Sequence, residues 1–134
     1  MHGTEEKKAE NRIQRGEIYF VFLDPCFGRE IGGYKARPVV VVSINDIHQN
    51  TRLVTVVPGT TSERGDRATN VSVKPDKDNH LREVTAFQCH QIRTIDQGRM
   101  TSRPSGMVSR TDSDRIEKAV CLSLGINRGE GEFS

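Results

Sequence analysis

An arginine at the point where a polar loop runs into an apolar stretch can be held rigidly on one side and left open on the other. Lys35-Ala36-Arg37-Pro38 has that form, because the chain continues into Val39-Val40-Val41-Val42 and the guanidinium of Arg37 can face the loop before it. A planar guanidinium offers a fork of N–H donors that matches the oxygens of a carboxylate or phosphate. A second polar cluster, Pro58-Gly59-Thr60-Thr61-Ser62, follows another apolar stretch and supplies hydroxyls. Taken singly, the first also reads as an ordinary surface arginine and the second as a hydroxyl-rich turn.

Other chemistries find little support. His2, His48, His80 and His90 with Cys26, Cys89 and Cys121 show neither Cys-x2-Cys nor His-x3-His spacing, so neither a metal site nor a cofactor is expected. Cys89 and His90 are adjacent, and neighbours on a strand point to opposite faces. Nothing marks a cysteine as exposed or acidified, so all three read as structural free thiols suited to a reducing compartment. The glycines from Gly28 to Gly33 lack GxGxxG spacing, and the chain has no GxxxxGK[ST] phosphate loop.

The elements that must position these groups are mostly short strands. Gly16 to Leu23 is β-branched and aromatic and stops at Asp24-Pro25, and Val39 to Val42 is a continuous apolar run of strand length behind Pro38. Between them, Cys26 to Ala36 is too glycine-rich and polar for a core element and reads as a long flexible loop. Leu53 to Val57 reads as a strand ending at Pro58-Gly59, and Asn70 to Val73 as another ending at Lys74-Pro75-Asp76. Glu83 to Cys89 and Gln91 to Ile95 are further candidates, with a break near His90. From Asp112 the period changes: Ile116, Ala119, Val120 and Leu124 recur at helical spacing, with Thr111, Asp112 or Ser113 as N-cap and Gly125 at the C-terminal end. Short strands with one terminal helix predict a mainly β fold, a small curled or barrel-like sheet packed by that helix.

With 134 residues the chain has room for one domain. Residues 15–126 are expected to form it, with polar, mobile tails at 1–14 and 127–134. The formal charge of +2 is too small to argue for a nucleic-acid partner. The charged start reads as neither signal peptide nor anchor, and no apolar run approaches the ~20 residues that span a bilayer. A soluble, cytoplasmic protein without membrane contact is expected.

Five segments then occur in a telling order: Arg15-Gly16-Glu17-Ile18-Tyr19-Phe20, Gly28-Arg29-Glu30-Ile31-Gly32-Gly33, Arg37-Pro38-Val39-Val40-Val41-Val42-Ser43, Val57-Pro58-Gly59-Thr60-Thr61-Ser62 and Gln91-Ile92-Arg93-Thr94-Ile95-Asp96. Together, over about Arg15 to Gly125, they resemble the MazF/PemK toxins. The resemblance implies a homodimeric SH3-like β-barrel of the CcdB/MazF kind. It also implies a type II toxin that cleaves single-stranded RNA at a short sequence without a metal, so inhibiting translation and growth, and that a cognate antitoxin neutralises. By analogy Arg37 and Thr60 are the catalytic pair, although Thr61 beside Thr60 leaves the hydroxyl open between the two. Glu30 is the nearby carboxylate able to assist the 2′-OH. Arg29, Tyr34, Lys35, Thr61, Ser62 and Arg64 are the expected RNA contacts, and Phe27 and Tyr34 in the loop can stack on bases. The loop from Glu30 to Arg37 is longer than the family's usual pattern, so the cleavage sequence does not transfer. The alternative on the same barrel is a non-enzymatic toxin such as CcdB, which poisons DNA gyrase through C-terminal residues.

Overall fold

β-branched and aromatic residues dominate Glu17–Val21 and Arg37–Val41, and in the computed structural model these are strands β1 and β2, paired antiparallel with Ile18 opposite Val40. The structure describes residues 13–62, 67–100 and 103–127. Both faces of the pair are covered. Ile18 and Val40 enter one apolar cluster, while Tyr19, Val21, Val39 and Val41 enter a second. Successive side chains on a strand point opposite ways, so a strand covered on both sides needs the unbroken valine run that β2 carries.

The next strand, β3 (Leu53–Thr60), is the spine of the sheet. One edge pairs with β2, with Val39 opposite Pro58 and Val41 opposite Val56. The other edge is shared between two partners. Leu53 to Val56 pairs with β6 (Arg93–Asp96), and Gly59 and Thr60 pair with β5 (Thr85–Gln88). Pro58 lies between these two pairings, where β3 changes partner, which is how a residue without an N–H is accommodated inside a strand. The expected turn at Pro58-Gly59 is therefore corrected: the strand continues through it to Thr60. Beyond β5 lies β4 (Asn70–Val73), and the short β7 (Gly106–Met107) pairs with the outer edge of β1. The sheet runs β4-β5-β3-β2-β1-β7, with β6 branching from β3. This is the small curled sheet expected, as a half-barrel.

Apart from short 3-10 turns, two elements among the described residues had no counterpart in the sequence reading. One is β7; the other is the helix α1 (Asn45–Asn50), which buries His48 between Ser43, whose Oγ lies 2.6 Å from its Nε2, and the carbonyl of Ile13, 3.2 Å from its Nδ1. Ile13 is itself buried in the second cluster, although it falls in the stretch read as a tail; the rest of that tail, residues 1–12, and nearly all of 127–134 lie outside the described residues. The segment expected as a strand from Gln91 begins instead at Arg93, because Cys89–Gln91 forms a 3-10 turn.

The terminal helix, α2 (Arg110–Ser123), packs Ile116 and Ala119 into the first cluster. Its N-cap is Ser109 rather than Thr111, Asp112 or Ser113, because the Ser109 hydroxyl accepts the Asp112 N–H at 3.0 Å and starts the helix at Arg110. At the other end Gly125, at φ +70°, closes a Schellman motif: its N–H bonds to the Leu122 carbonyl (3.1 Å) and that of Ile126 to Cys121 (2.8 Å). Arg15 ties the helix to the sheet, donating to Val42 O and pairing with Glu117 at 3.0 Å. No helix of the described residues is long and apolar enough to cross a membrane.

Gly59 sits where β3 meets β5, and a Cβ there would lie 2.7 Å from Thr85 Cγ2 and 2.9 Å from Phe87 Cδ1. Gly59→Ala is expected to lower stability by about 1–3 kcal/mol through overpacking. Urea unfolding checks this, and an unchanged midpoint would contradict so tight an approach.

Candidate active site

The antiparallel register that sets Val39 opposite Pro58 brings Arg37, two residues back on β2, across from Thr60, two residues on along β3. Both lie at one end of the sheet, beside the loop that enters β2. Arg37 is half-buried, and its Nε donates to the Gly32 carbonyl at 2.9 Å, which orients the guanidinium plane. Thr60 is buried, and its Oγ1 accepts the Ser62 N–H at 3.2 Å and lies 2.9 Å from Ser62 Oγ. The Ser62 N–H fixes the position of the Thr60 oxygen, and either hydroxyl of the Thr60–Ser62 pair can be the donor between them, so when Ser62 donates, the Thr60 proton is available to a ligand.

Two clefts meet at this pair. One, of about 410 Å³, is lined by Arg29, Glu30, Arg37, Thr60, Ser62, Gln88, His90 and Gln91 among others. The other, of about 510 Å³, is lined by Phe20, Lys35, Arg37, Thr60, Thr61, His80, Arg82 and Glu83 among others. Arg29, Glu30, His90 and Gln91 also border a third hollow of about 630 Å³, which reaches Ile92 and Arg93. The resulting path carries Arg29, Lys35, Arg37, Arg82 and Arg93 against the two carboxylates of Glu30 and Glu83, so it is locally basic on a chain of net charge +2.

The loop before β2 is tied down more than its glycines imply. Gln91 accepts the Ile31 N–H (2.8 Å) and donates to the Arg29 carbonyl (3.3 Å), and Asp24 accepts the Gly33 N–H (3.0 Å). Glu30 folds its carboxylate back onto the Phe27 N–H at 2.8 Å while still bordering the cleft. The 74–84 loop that brings His80, Arg82 and Glu83 to the other cleft is organised by Asn79, fully buried, which bonds to Asp76 N, Leu81 N and Lys74 O.

The residues expected at the site are only partly gathered. Arg29, Glu30, Arg37, Thr60 and Ser62 share one cleft, and Lys35 and Thr61 fall in the other. Thr60 borders both clefts and Thr61 only one. Tyr34, 98 % exposed, borders none of the three, and Phe27 likewise projects from the loop. Arg64 lies outside the described residues. Phe20, His80, Arg82, Glu83, Gln88, His90, Gln91 and Arg93 were not expected there. Gln91 and Arg93 lie in the QIRTID segment, which could have flagged them. Phe20, on strand β1, is 43 % exposed at the cleft edge.

Among the described residues no group of three His, Cys, Asp or Glu side chains gathers in a way that could hold a metal ion. Burial pushes the Cys89 thiol up to about 12, which fits its structural reading and leaves no thiolate nucleophile beside His90. Burial and the Glu17 carboxylate also raise the Tyr19 phenol.

Comparison with known proteins identifies the family. Residues 14–124 match the family model described as PemK-like, MazF-like toxin of type II toxin-antitoxin system. The chain is 29 % identical over 116 residues to the endoribonuclease EndoA of Bacillus subtilis, covering 85 % of this chain and 96 % of that protein. It is 30 % identical over 114 residues to a probable endoribonuclease MazF of Mycolicibacterium smegmatis, covering 85 % and 98 %. Among solved structures, an endoribonuclease in complex with its cognate antitoxin from a mycobacterial species superimposes with a TM-score of 0.66 at 25 % identity, covering 87 % of this chain and 97 % of that one. Relatives named as endoribonucleases do not favour the gyrase-poisoning alternative. A family match over nearly the whole described chain, on a half-barrel that sets an arginine and a threonine across one strand pair, shows that this chain belongs to the PemK-like, MazF-like toxins of type II toxin–antitoxin systems.

Proposed function

We propose that this endoribonuclease cuts single-stranded RNA, messenger RNA included, by directing the RNA's own 2′-hydroxyl at the adjacent phosphate, with Arg37 and Thr60 on that phosphate. The observation that carries the reading is the cross-strand placement of Arg37 and Thr60 where two basic clefts meet. Attack by the 2′-oxygen forms a bond to phosphorus and breaks the bond to the 5′-oxygen, leaving a 2′,3′-cyclic phosphate and a 5′-hydroxyl. Negative charge grows on the non-bridging oxygens in between. The guanidinium of Arg37, oriented by its bond to Gly32, donates to those oxygens as charge develops. Thr60 adds its hydroxyl and holds the phosphate in line with the attacking oxygen. Arginine makes a poor base, since its pKa lies above about 12. Arg29, Lys35, Thr61 and Ser62 line the clefts along which the flanking backbone runs, and Phe20 at the cleft edge offers a face for a base to stack on.

The same clefts suit an inhibitor. An acidic, largely disordered antitoxin segment would imitate a phosphate backbone across Arg29, Lys35 and Arg37, so antitoxin and RNA compete for one surface. The protein acts as a symmetric dimer, because a small sheet with one helix leaves Phe22, Leu53 and Leu122 exposed, apolar surface that a two-fold copy can cover. It works in the cytoplasm, where its messenger substrates are translated, and cleavage there arrests translation and growth.

Arg37→Ala should slow cleavage at least about a hundredfold, or roughly 2.7 kcal/mol of transition-state stabilisation, with circular dichroism unchanged. Arg37→Lys should also be poor, since it keeps the charge and loses the fork; near-normal rates in both would remove Arg37 from the site. Cleavage should persist in chelator and stop when the scissile nucleotide lacks its 2′-hydroxyl, and cutting of that deoxy-substituted RNA would sink the mechanism. Sedimentation should give twice the 15.0 kDa chain mass, and titrating the antitoxin into dimer loaded with non-cleavable RNA should release the RNA. Simultaneous binding at unchanged affinity would rule out a shared surface.

A further inference from the structure

The proposed reaction needs a group that removes the 2′-hydroxyl proton, and neither Arg37 nor Thr60 can do so near neutral pH. Two side chains in the cleft that holds both of them are of types that serve as general bases, Glu30 and His90. Glu30, the carboxylate expected from the sequence, already accepts the Phe27 N–H at 2.8 Å and is tied to its own loop. His90 is placed differently. It sits in the 3-10 turn Cys89–Gln91 between β5 and β6, its side chain is exposed in the cleft, and its Nδ1 lies 3.0 Å from Thr69 Oγ1.

The turn is anchored on both sides. Cys89 is buried beneath it, donating its N–H to Thr69 O at 2.8 Å, and Gln91 above it bridges Gln88 and the loop at Ile31. The Thr69 main chain thus holds the turn while its hydroxyl holds the ring. When Nδ1–H donates to Thr69, the lone pair sits on Nε2, the nitrogen left for substrate. The charged groups bordering the same clefts are Arg29 and Glu30 from the loop, Arg37 from β2 and Arg93 from β6. From beneath, α2 meets the turn through Ser123, whose hydroxyl donates to Cys89 O, and through the Ile116 carbonyl near Cys89 Sγ.

We infer that His90 is the catalytic base of this chain, accepting the 2′-hydroxyl proton on Nε2, and that Thr69 is a positioning residue that sets its tautomer. The inference rests on the Arg37–Thr60 phosphate site proposed above. In the step, the O2′–H bond breaks as O2′ bonds to phosphorus, the proton passes to Nε2, the P–O5′ bond breaks, and solvent water protonates the departing 5′-oxygen. The imidazolium then returns its proton to solvent.

Single-turnover cleavage of one RNA measured from pH 5 to 9 tests this, using wild type, His90→Gln, Glu30→Gln, Thr69→Val and Arg37→Ala, with affinity for a non-cleavable analogue as the control for folding and binding. Wild type should lose rate toward acid as the base becomes protonated. His90→Gln should cut about a hundredfold more slowly at neutral pH, keep its RNA affinity and lose that acid limb. Free imidazole should restore part of the rate to His90→Ala. Thr69→Val should fall between, and Glu30→Gln should retain the acid limb. If Arg37→Ala is slow while His90→Gln keeps both rate and acid limb, His90 is not the base and the phosphate site stands. If Glu30→Gln alone abolishes the limb, the base is Glu30. If Arg37→Ala is as fast as wild type, the site reading itself fails and His90 with it.

Discussion

The pairing of β2 with β3 is the constraint on which the rest of the molecule depends. One ladder sets Val39 against Pro58 and Val41 against Val56, filling the second core cluster, and its continuation sets Arg37 against Thr60. A slip of one residue would turn every valine of β2 to the other face and would present Arg37 to Gly59 or Thr61 instead. Core packing and site geometry are thus selected together. Apolar side chains buried on both faces, each worth about 1.5–3 kcal/mol, hold the polar pair in place.

What surrounds that pair explains how a glycine-rich loop can form one wall of a groove. Gln91, Asp24 and Arg37 each bond to backbone groups of the segment between β1 and β2, which has no ladder of its own to satisfy them. The guanidinium therefore has two relations at once, to the Gly32 carbonyl behind it and to the cleft in front. Asn79 does comparable service for the loop after β4, where His80 stands at a positive φ of 55°.

Much of this was legible beforehand because it is local. The valine run, the loop that leads into Arg37 and the helical period of Ile116, Ala119 and Val120 follow from side-chain alternation and turn chemistry. What was missed is non-local. Pro58-Gly59 has the signature of a turn, yet β3 passes through because a strand that changes partner at that point tolerates a missing donor. Six residues at Asn45–Asn50 are too few to show a helical period, so α1 and its buried His48 left no trace. Phe20 and His90 read as a strand aromatic and a break between strands. Their exposure at the cleft depends on where β1 meets the end of β2 and where the chain turns between β5 and β6, which no short window of sequence contains.

The two clefts that meet at Arg37 and Thr60 are walled by different parts of the chain: the β1–β2 loop and the 89–91 turn on one side, the 74–84 loop and Phe20 on the other. A strand of RNA crossing from one to the other would be read by two separate surfaces, one upstream and one downstream of the phosphate that is cut. On that reading, substitutions in the 74–84 loop would alter the bases preferred on one flank without touching the walls of the other, while the strand pair beneath both stays as it is. Were the clefts used in this way, the cutting chemistry could be inherited intact while the two halves of the target word diversify one at a time.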